Sequence, residues 1–261
     1  MHRFLWLGIC LIASSILGNA LAQSPITSEI APTGKLRVAM NAGTPVLVMR
    51  TPDGKVTGGV GVELGRFIAD KLGIPFELVA YPNAEKYTQT FGKDEWDIGF
   101  GAKTPLVAEK AEFVSDVLLN DYWYLAAPGR EFTDATQIDR PGVKIGVGQA
   151  STSDQFLTRT LKSAELVRRS GIEPSVEVLK SGEVDAWAAS ASNIQQLAKR
   201  VPGSKIVPGA FMSDGSMVIL PKKSSSAARA KIAELISEAK KAGIVTKAIE
   251  QVGVKGVRAA P

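Results

Sequence analysis

The stretch GKDEWDIGFGAKTP at residues 92–105 contains a Gly turn, an Asp, a short apolar run and then a polar loop. A looser copy, SGEVDAWAASASN, occupies residues 181–193. A short apolar run bounded by turn residues is typical of a buried strand. We therefore predict that each copy forms a strand whose carboxyl end opens into a loop of small and polar residues.

Strands and helices alternate around the first copy. The sequence predicts a strand at residues 35–40, a helix at 61–73 and a second strand at 75–81. The alternation restarts after a polar segment rich in Pro and Gly, with a strand at residues 143–147. Parallel strands need helical crossovers, so the pattern indicates α/β units with parallel sheets, and ligands bind beyond the carboxyl ends of such strands. Two successive units predict two α/β lobes and not one sheet.

Residues 1–22 have the features of a secretory signal peptide. His2 and Arg3 precede an apolar run at residues 4–17, and the small residues ALA end the segment at Ala22. The apolar run is too short to span a membrane. We therefore expect cleavage after Ala22 and export to the periplasm. Cleavage would remove Cys10 and His2, the single Cys and the single His of the chain.

Composition excludes several kinds of chemistry from the mature chain. Without Cys or His it cannot form a thiol nucleophile, a Ser-His-Asp relay or a structural zinc site, and we expect no metal and no cofactor. The 31 Lys and Arg residues are scattered among 26 Asp and Glu. No basic stripe interleaved with aromatic residues is present, so nucleic acid is not an expected partner. An apolar content of 45% is enough for a core without disulfides.

An ordered set of fragments resembles the extracellular solute-binding proteins of ABC importers, family 3, the polar-amino-acid class. The fragments are GKLRVAM, GVGVELGRFIADKLGIPFELV, DIGFGAKTP, EFVSDVLLNDYWYLAAPG, RPGVKIGVGQASTSDQFL and SGEVDAWAAS. The resemblance covers roughly residues 34–253, and it lies in the order of the fragments, since each one alone is weak.

The resemblance implies an α/β, two-lobed periplasmic binding protein fold of type II. Each lobe would be a mostly parallel sheet flanked by helices, and two crossover strands near residues 121–127 and 211–218 would join the lobes. Lobe 1 would comprise residues 33–124 and 215–261, and lobe 2 residues 125–214. The strands of the two quoted stretches would then end on opposite walls of one cleft, which closes on a small-molecule ligand by hinge motion. The partners implied are the membrane permease and ATPase subunits of an ABC importer, with the protein itself a monomer.

The candidate ligand-binding residues lie in loops after strands, at a helix start and at the first crossover. Residues 146–152, GVGQAST, direct backbone N–H groups and a positive helix end at the cleft, which suits an anion. Ser151 can also cap that helix, and the two roles can coexist. Strand alternation sends Trp123 to one face and Tyr122 and Tyr124 to the other, as an aromatic wall or as core. The candidates are Asn41, Thr44, Val60, Gly61, Ala102, Lys103, Thr104, Tyr122, Trp123, Gln149, Ser151, Thr152, Ser190 and Asn193.

Two positions depart from the family pattern. Proteins that bind α-amino acids usually carry an Arg where this chain has Val107, and an Asp where it has Ser190. Val cannot replace the paired hydrogen bonds and the charge of a guanidinium. Lys103 could supply a point charge or be a solvated rim residue, and Asn193 or Asp214 could hold an amino group. We therefore expect a small carboxylate or another organic anion and not an ordinary α-amino acid.

Two other classes of protein remain open. Some periplasmic enzymes of this fold, such as cyclohexadienyl dehydratases, need a carboxylic acid with a raised pKa in the cleft, for which Asp214 is the candidate. A signalling or accessory module would instead have a blocked or collapsed cleft. We expect a binding protein without catalytic residues.

Overall fold

The computed structural model describes residues 24–51 and 53–261, so the predicted signal peptide at residues 1–22 lies outside the described residues. The strands are β1 Leu36–Asn41, β2 Met49–Arg50, β3 Val56–Gly58, β4 Phe76–Tyr81, β5 Ile98–Ala102, β6 Ala111–Ala126, β7 Lys144–Gly148, β8 Glu165–Arg169, β9 Ala186–Ser190, β10 Lys205–Ile206, β11 Met212–Pro221 and β12 Val257–Ala259. The helices are α1 Pro25–Ile30, α2 Val60–Leu72, α3 Ala84–Thr88, α4 Pro105–Lys110, α5 Thr152–Thr160, α6 Ile172–Ser181, α7 Ala191–Arg200, α8 Ser226–Lys241 and α9 Ile244–Val252, with a 3-10 turn at Ala135–Gln137.

The main sheet has a symmetrical strand order. Its path runs β4-β1-β5-β11-β6-β9-β7-β8, and β10 and β12 also pair with β6. Strand β1 is parallel to β4 and β5, and β7 is parallel to β8 and β9. Each of these trios is the parallel core of one lobe, and the antiparallel strands β6 and β11 lie between them. The two-lobed α/β fold is confirmed.

The prediction that the two lobes do not share one sheet is wrong, because the hydrogen-bonded sheet continues from one lobe into the other. Strand β6 is 16 residues long. Its residues 111–122 pair with β11, and its residues 122–126 pair with β9. A strand of this length enters both lobes, so the hydrogen-bonded path continues from one lobe to the other. The segments predicted as crossovers overlap β6 and β11.

The buried apolar residues form two groups that correspond to the lobes. One group draws its members from residues 30–118 and 218–248. The other draws its members from residues 124–207. The exact limits of the lobes, 33–124 with 215–261 and 125–214, stay a prediction.

Helical periodicity placed the long helices correctly. Val60, Leu64 and Ile68 of α2 are fully buried, and the helix ends at Gly73 in the left-handed conformation, with φ 68°. The predicted apolar face of α8, with Ile232, Leu235, Ile236 and Ala239, is buried. Both helices cover the lobe 1 sheet, which removes their apolar faces from water.

The Asp shared by the two quoted stretches ties each strand to its neighbour. The N–H of Arg37 donates to Asp97 Oδ2 at 2.8 Å, and the N–H of Asp97 donates back to the Arg37 carbonyl at 2.9 Å. In lobe 2 the N–H of Lys144 donates to Asp185 Oδ2 at 2.7 Å, and the Asp185 N–H returns to the Lys144 carbonyl at 2.8 Å. Asp97 therefore aligns the start of β1 with β5, and Asp185 aligns the start of β7 with β9.

None of the helices in residues 24–51 and 53–261 combines the length and the apolar character needed to cross a bilayer. Among the same residues, no group of three or more His, Cys, Asp or Glu side chains is arranged to hold a metal ion.

Candidate functional site

A cavity of about 190 Å³ lies between the lobes, at the carboxyl ends of their parallel strands. Lobe 1 lines it with residues that follow β1, β4 and β5, and lobe 2 with residues that follow β7, β8 and β9. Backbone and side-chain groups at strand ends point away from the sheet, which is why ligands of α/β proteins bind there. The two quoted stretches therefore end at one cavity, from opposite lobes.

Most of the predicted ligand-binding residues line this cavity. Ala102 and Thr104 follow β5, and Gln149 follows β7. Their role as ligand contacts stays a prediction. The predicted residues in the lining are Asn41, Thr44, Ala102, Thr104, Tyr122, Gln149, Ser151, Thr152, Ser190 and Asn193.

Val60 and Gly61 lie outside the lining, in the lobe 1 core. Val60 is fully buried, and its N–H donates to the Val46 carbonyl at 2.8 Å. The Gly61 N–H donates to the Leu47 carbonyl at 3.2 Å, and its Cα faces the Met40 side chain. The loop at residues 46–47 thus occupies the N-terminus of α2, and the N–H groups of Val60 and Gly61 are not free to bind a ligand.

Trp123 and Lys103 also lie outside the lining. Strand alternation turns Trp123 to the face opposite Tyr122, where it packs on the lobe 2 core and beside Gly256. Lys103 is exposed and is not one of the lining residues. The aromatic wall predicted for the crossover is therefore supplied by Tyr122 alone.

The N-terminus of α5 is the predicted anion site on the lobe 2 wall. Ser151 caps the helix by accepting the Asp154 N–H at 3.2 Å, and Asp154 Oδ2 accepts the Ala150 N–H at 2.9 Å. Arg168 Nε lies 2.8 Å from Asp154 Oδ1 and compensates that carboxylate. The N–H groups of Thr152 and Ser153, in the first turn, have no acceptor within the helix. Both residues line the cavity.

The lobe 1 wall is largely apolar where amino-acid binders carry a guanidinium. Val107 is 5% exposed and packs with Tyr87 and Phe91. Thr104 Oγ1 caps α4 by accepting the Val107 N–H at 3.3 Å. Phe100 is also a lining residue of lobe 1. The guanidinium that would clamp a carboxylate is therefore absent from position 107, as the sequence indicates.

Arg169 is the charged residue of the lining that sequence reasoning missed. It ends β8, pairs in register with Gly148, and forms an ion pair with Glu183. Its Nη1 donates to the Arg168 carbonyl at 2.8 Å, and its side chain is 37% exposed. The position of Arg169 in the sequence could have identified it, because an Arg at the carboxyl end of a parallel strand lies on the ligand side of the sheet.

Two amide oxygens in the lining have no hydrogen-bond partner among the described residues. They are Oδ1 of Asn120 and Oδ1 of Asn193. Asn120 is 3% exposed, and its Nδ2 donates to Ser216 Oγ at 2.8 Å. Asn120 lies two residues before Tyr122, so strand alternation would have placed it on the cavity face. A buried acceptor without a partner costs about 1–3 kcal/mol, which a ligand donor would recover.

Burial perturbs two titratable groups near the cavity. It raises the pKa of Tyr122 to about 12, against the opposing effect of a hydrogen bond with Thr152. Burial also raises the pKa of Asp214, and the charge of Asp116 adds to the rise, while the Gly215 N–H and the charge of Lys103 oppose it. Asp214 belongs to β11 and is not part of the lining.

The raised pKa of Asp214 leads to a pH-dependent stability prediction. The folded state holds the Asp214 proton more tightly than the unfolded state does, so the free energy of unfolding falls as pH rises from 3.8 through the folded pKa. We expect Asp214→Asn to have a higher Tm than the original protein at pH 7 and a difference that shrinks towards pH 4. Thermal unfolding followed by circular dichroism from pH 3.5 to 8 measures this. A variant less stable at pH 7 than at pH 4, relative to the original chain, would contradict the prediction.

Comparisons with known proteins agree with this architecture. No protein-family model matches the chain. A mutant of ArgBP from T. maritima has a TM-score of 0.76 and 20% identity, and the match covers 87% of this chain and 99% of that one. An amino acid ABC transporter substrate-binding protein, AbpA from Streptococcus pneumoniae bound to L-arginine, has a TM-score of 0.73 and 21% identity, and covers 85% and 96% of the two chains. The chain therefore has the two-lobed fold of these substrate-binding proteins, consistent with the resemblance found in its sequence.

A curated relative is an enzyme. The cyclohexadienyl dehydratase of Pseudomonas aeruginosa is 28% identical over 165 residues. The match covers 61% of this chain and 59% of the dehydratase, so it spans about three fifths of that relative's length.

Proposed function

We propose that this chain is a periplasmic solute-binding protein that captures a small polar or anionic metabolite, amino-acid-like or an organic acid, and delivers it to an ABC importer. The observation that carries the proposal is the single cavity walled by the carboxyl ends of three strands from each lobe. A site divided between two lobes is suited to capture, because closure removes the ligand from water on all sides. The structural neighbours, one of them bound to L-arginine, support the same role.

The charge of the cavity favours an anionic group on the ligand. The first turn of α5 places positive potential on the lobe 2 wall, and Arg169, which forms an ion pair with Glu183, also borders that wall. Among the described residues, the lining contains no Asp or Glu that would hold a free ammonium. The anionic end of the ligand would therefore bind lobe 2, in contrast to a clamp at residue 107 in lobe 1.

The partners follow from the class of protein. We propose a permease and an ATPase subunit of an ABC importer as the receptors of the closed, loaded form, with the protein itself a monomer. The signal-peptide features of residues 1–22 support a periplasmic location.

A thermal-shift screen of the mature protein, refolded to remove bound solutes, tests the proposal. The panel contains amino acids, dicarboxylates, aromatic acids and polyamines. We expect a carboxylate to raise the free energy of unfolding by about 2.7 kcal/mol at a hundred times its Kd, because it binds the folded state alone. Arg169→Gln should weaken carboxylate binding about tenfold by removing charge-assisted hydrogen bonds. Arg159→Gln, an exposed site on α5 outside the lining, is the matched control and should bind normally.

The screen also has a contrary outcome. No shift with any solute at millimolar concentration would show that the cavity does not capture small molecules, and the binding role would be abandoned. Equal affinity in Arg169→Gln and Arg159→Gln would remove Arg169 from the site while leaving the binding role intact.

A dehydratase is the second candidate function, favoured by the Pseudomonas aeruginosa relative. Such an enzyme needs an acid that protonates a leaving group within hydrogen-bond reach of the substrate. Asp214, the carboxyl with a raised pKa, lies outside the lining. Turnover of a cyclohexadienyl carboxylate, lost in Asp214→Asn, would establish the enzyme, and binding without turnover would support the solute-binding role.

A further inference from the structure

Asn120 and Asn193 both line the cavity, and each has a buried amide oxygen without a hydrogen-bond partner among the described residues. Asn120 belongs to β6, and its orientation is held by the hydrogen bond from Nδ2 to Ser216 Oγ at 2.8 Å. That bond leaves Oδ1 as the free end of a side chain that is 3% exposed. Asn193 lies in the first turn of α7, and its Oδ1 is also buried without a partner among the described residues.

Both residues are near the point at which β6 pairs with the end of β9, and both line the cavity. Tyr122 pairs with Ser190, the residue at which β9 ends and α7 is about to begin. Asn120 and Tyr122 are two residues apart on β6 and share a face, and Tyr122 lines the cavity together with Thr152 at the start of α5. Asn120, Asn193, Arg169 and the first turn of α5 therefore border one cavity.

The acceptors in the cavity lining indicate which hydrogen-bond donors the ligand carries. A neutral amide oxygen accepts a hydrogen bond from a hydroxyl without the desolvation of a second charge. An ammonium would need a carboxylate to offset its loss of water, and it would be repelled by the Arg169 guanidinium. Among the described lining residues, the polar acceptors are amides, hydroxyls and backbone carbonyls, and none is a carboxylate.

We propose that the ligand is a hydroxy acid, whose carboxylate binds Arg169 and the first turn of α5 and whose hydroxyl groups donate to Asn120 Oδ1 and Asn193 Oδ1. This assignment rests on the proposed binding function and names the class of solute for the same cavity. The apolar side of the ligand packs on the lobe 1 wall of Leu47, Phe91, Phe100 and Val107.

Calorimetric titration of the mature protein with matched acids tests this assignment. Two series are used: lactate, alanine and propionate, and then 3-phenyllactate, phenylalanine and 3-phenylpropionate. In at least one series we expect the hydroxy acid to bind about tenfold more tightly than the acid without a substituent, because a correctly placed hydroxyl adds one or two net hydrogen bonds. We also expect it to bind more tightly than the amino acid.

Variants at Asn193 sharpen the test, because this residue is only partly buried. Asn193→Leu should reduce the preference for the hydroxy acid about threefold or more, since one acceptor is lost. Asn193→Asp should shift the preference towards the amino acid, because a carboxylate pairs with the ammonium. Gln196→Glu adds the same charge to an exposed position of α7 outside the lining, and it should leave all preferences unchanged.

The contrary results are distinct from failure of the binding function. If the unsubstituted acid binds as tightly as the hydroxy acid, or if the amino acid binds best, the hydroxy-acid assignment is wrong although the cavity still captures solutes. The assignment is also wrong if only a solute of another class in the thermal-shift panel binds. If no solute in either experiment binds, the binding function itself fails.

Discussion

Replacing Asp97 by Ala is expected to lower the free energy of unfolding by about 3–5 kcal/mol, because it removes one partner of a buried ion pair. The Asp97 side chain is 2% exposed, and its Oδ1 lies 2.7 Å from Nη2 of Arg37, whose side chain is 17% exposed. The same carboxylate accepts the Arg37 N–H. The variant therefore leaves Nε and Nη2 of the Arg37 guanidinium and a backbone donor without their acceptor, at the position where β1 and β5 are aligned.

Urea unfolding measured by circular dichroism gives this loss. Glu131→Ala is the control, because it breaks an ion pair with Lys205 in which the side chains are 79% and 67% exposed. Exposed pairs of this kind contribute about 0–1 kcal/mol. A loss for Asp97→Ala no larger than that of the control would show that the Asp before β5 does not hold the lobe 1 sheet together.

Trp187→Ala is the second substitution with a large expected effect, a loss of about 3–5 kcal/mol from the cavity left in the core. Trp187 is 3% exposed and belongs to the lobe 2 core, and its ring also lines the ligand cavity. It pairs in register with Gly146 of β7, and a Cβ on Gly146 would overlap the indole ring. The absence of a side chain at 146 is therefore what admits the ring.

A double-mutant cycle with Gly146→Ala separates this contact from the rest of the loss. In the original chain Gly146→Ala should destabilise by about 1–3 kcal/mol through overpacking. In the Trp187→Ala background the added methyl group meets open space, so the same change should cost much less. Urea unfolding of the four proteins measures the coupling. Additive losses would mean that the ring does not depend on Gly146.

The quoted stretches predicted strands β5 and β9, since a Gly turn, an Asp and a short apolar run are local signals. The same reasoning did not show that the sheet is continuous, because nothing in residues 111–126 marks the point at which β6 leaves lobe 1 and enters lobe 2. Pairing partners are set by tertiary structure, and a long strand can have different partners along its length.

Backbone position placed some of the predicted residues at the cavity, while other loops keep Val60 and Gly61 away from it. Ser151 and Thr152 follow from a strand that turns into a helix. Val60 and Gly61 have the same local pattern, but the carbonyls of residues 46 and 47 occupy their amides. Arg169 was missed because its strand, ELVRR, is weakly apolar, and its direction depends on register with β7.

The division of the buried residues determines the order in which the two cores can be completed during synthesis. The lobe 2 core takes its members from one continuous stretch, residues 124–207. The lobe 1 core requires residues 218–248 in addition to residues 30–118, so its contacts close a much longer loop. Contacts between distant residues are slow to form because chain entropy opposes them. The lobe inserted in the middle of the chain can therefore fold as it leaves the ribosome, while the lobe that contains the start of the chain must wait for helix α8.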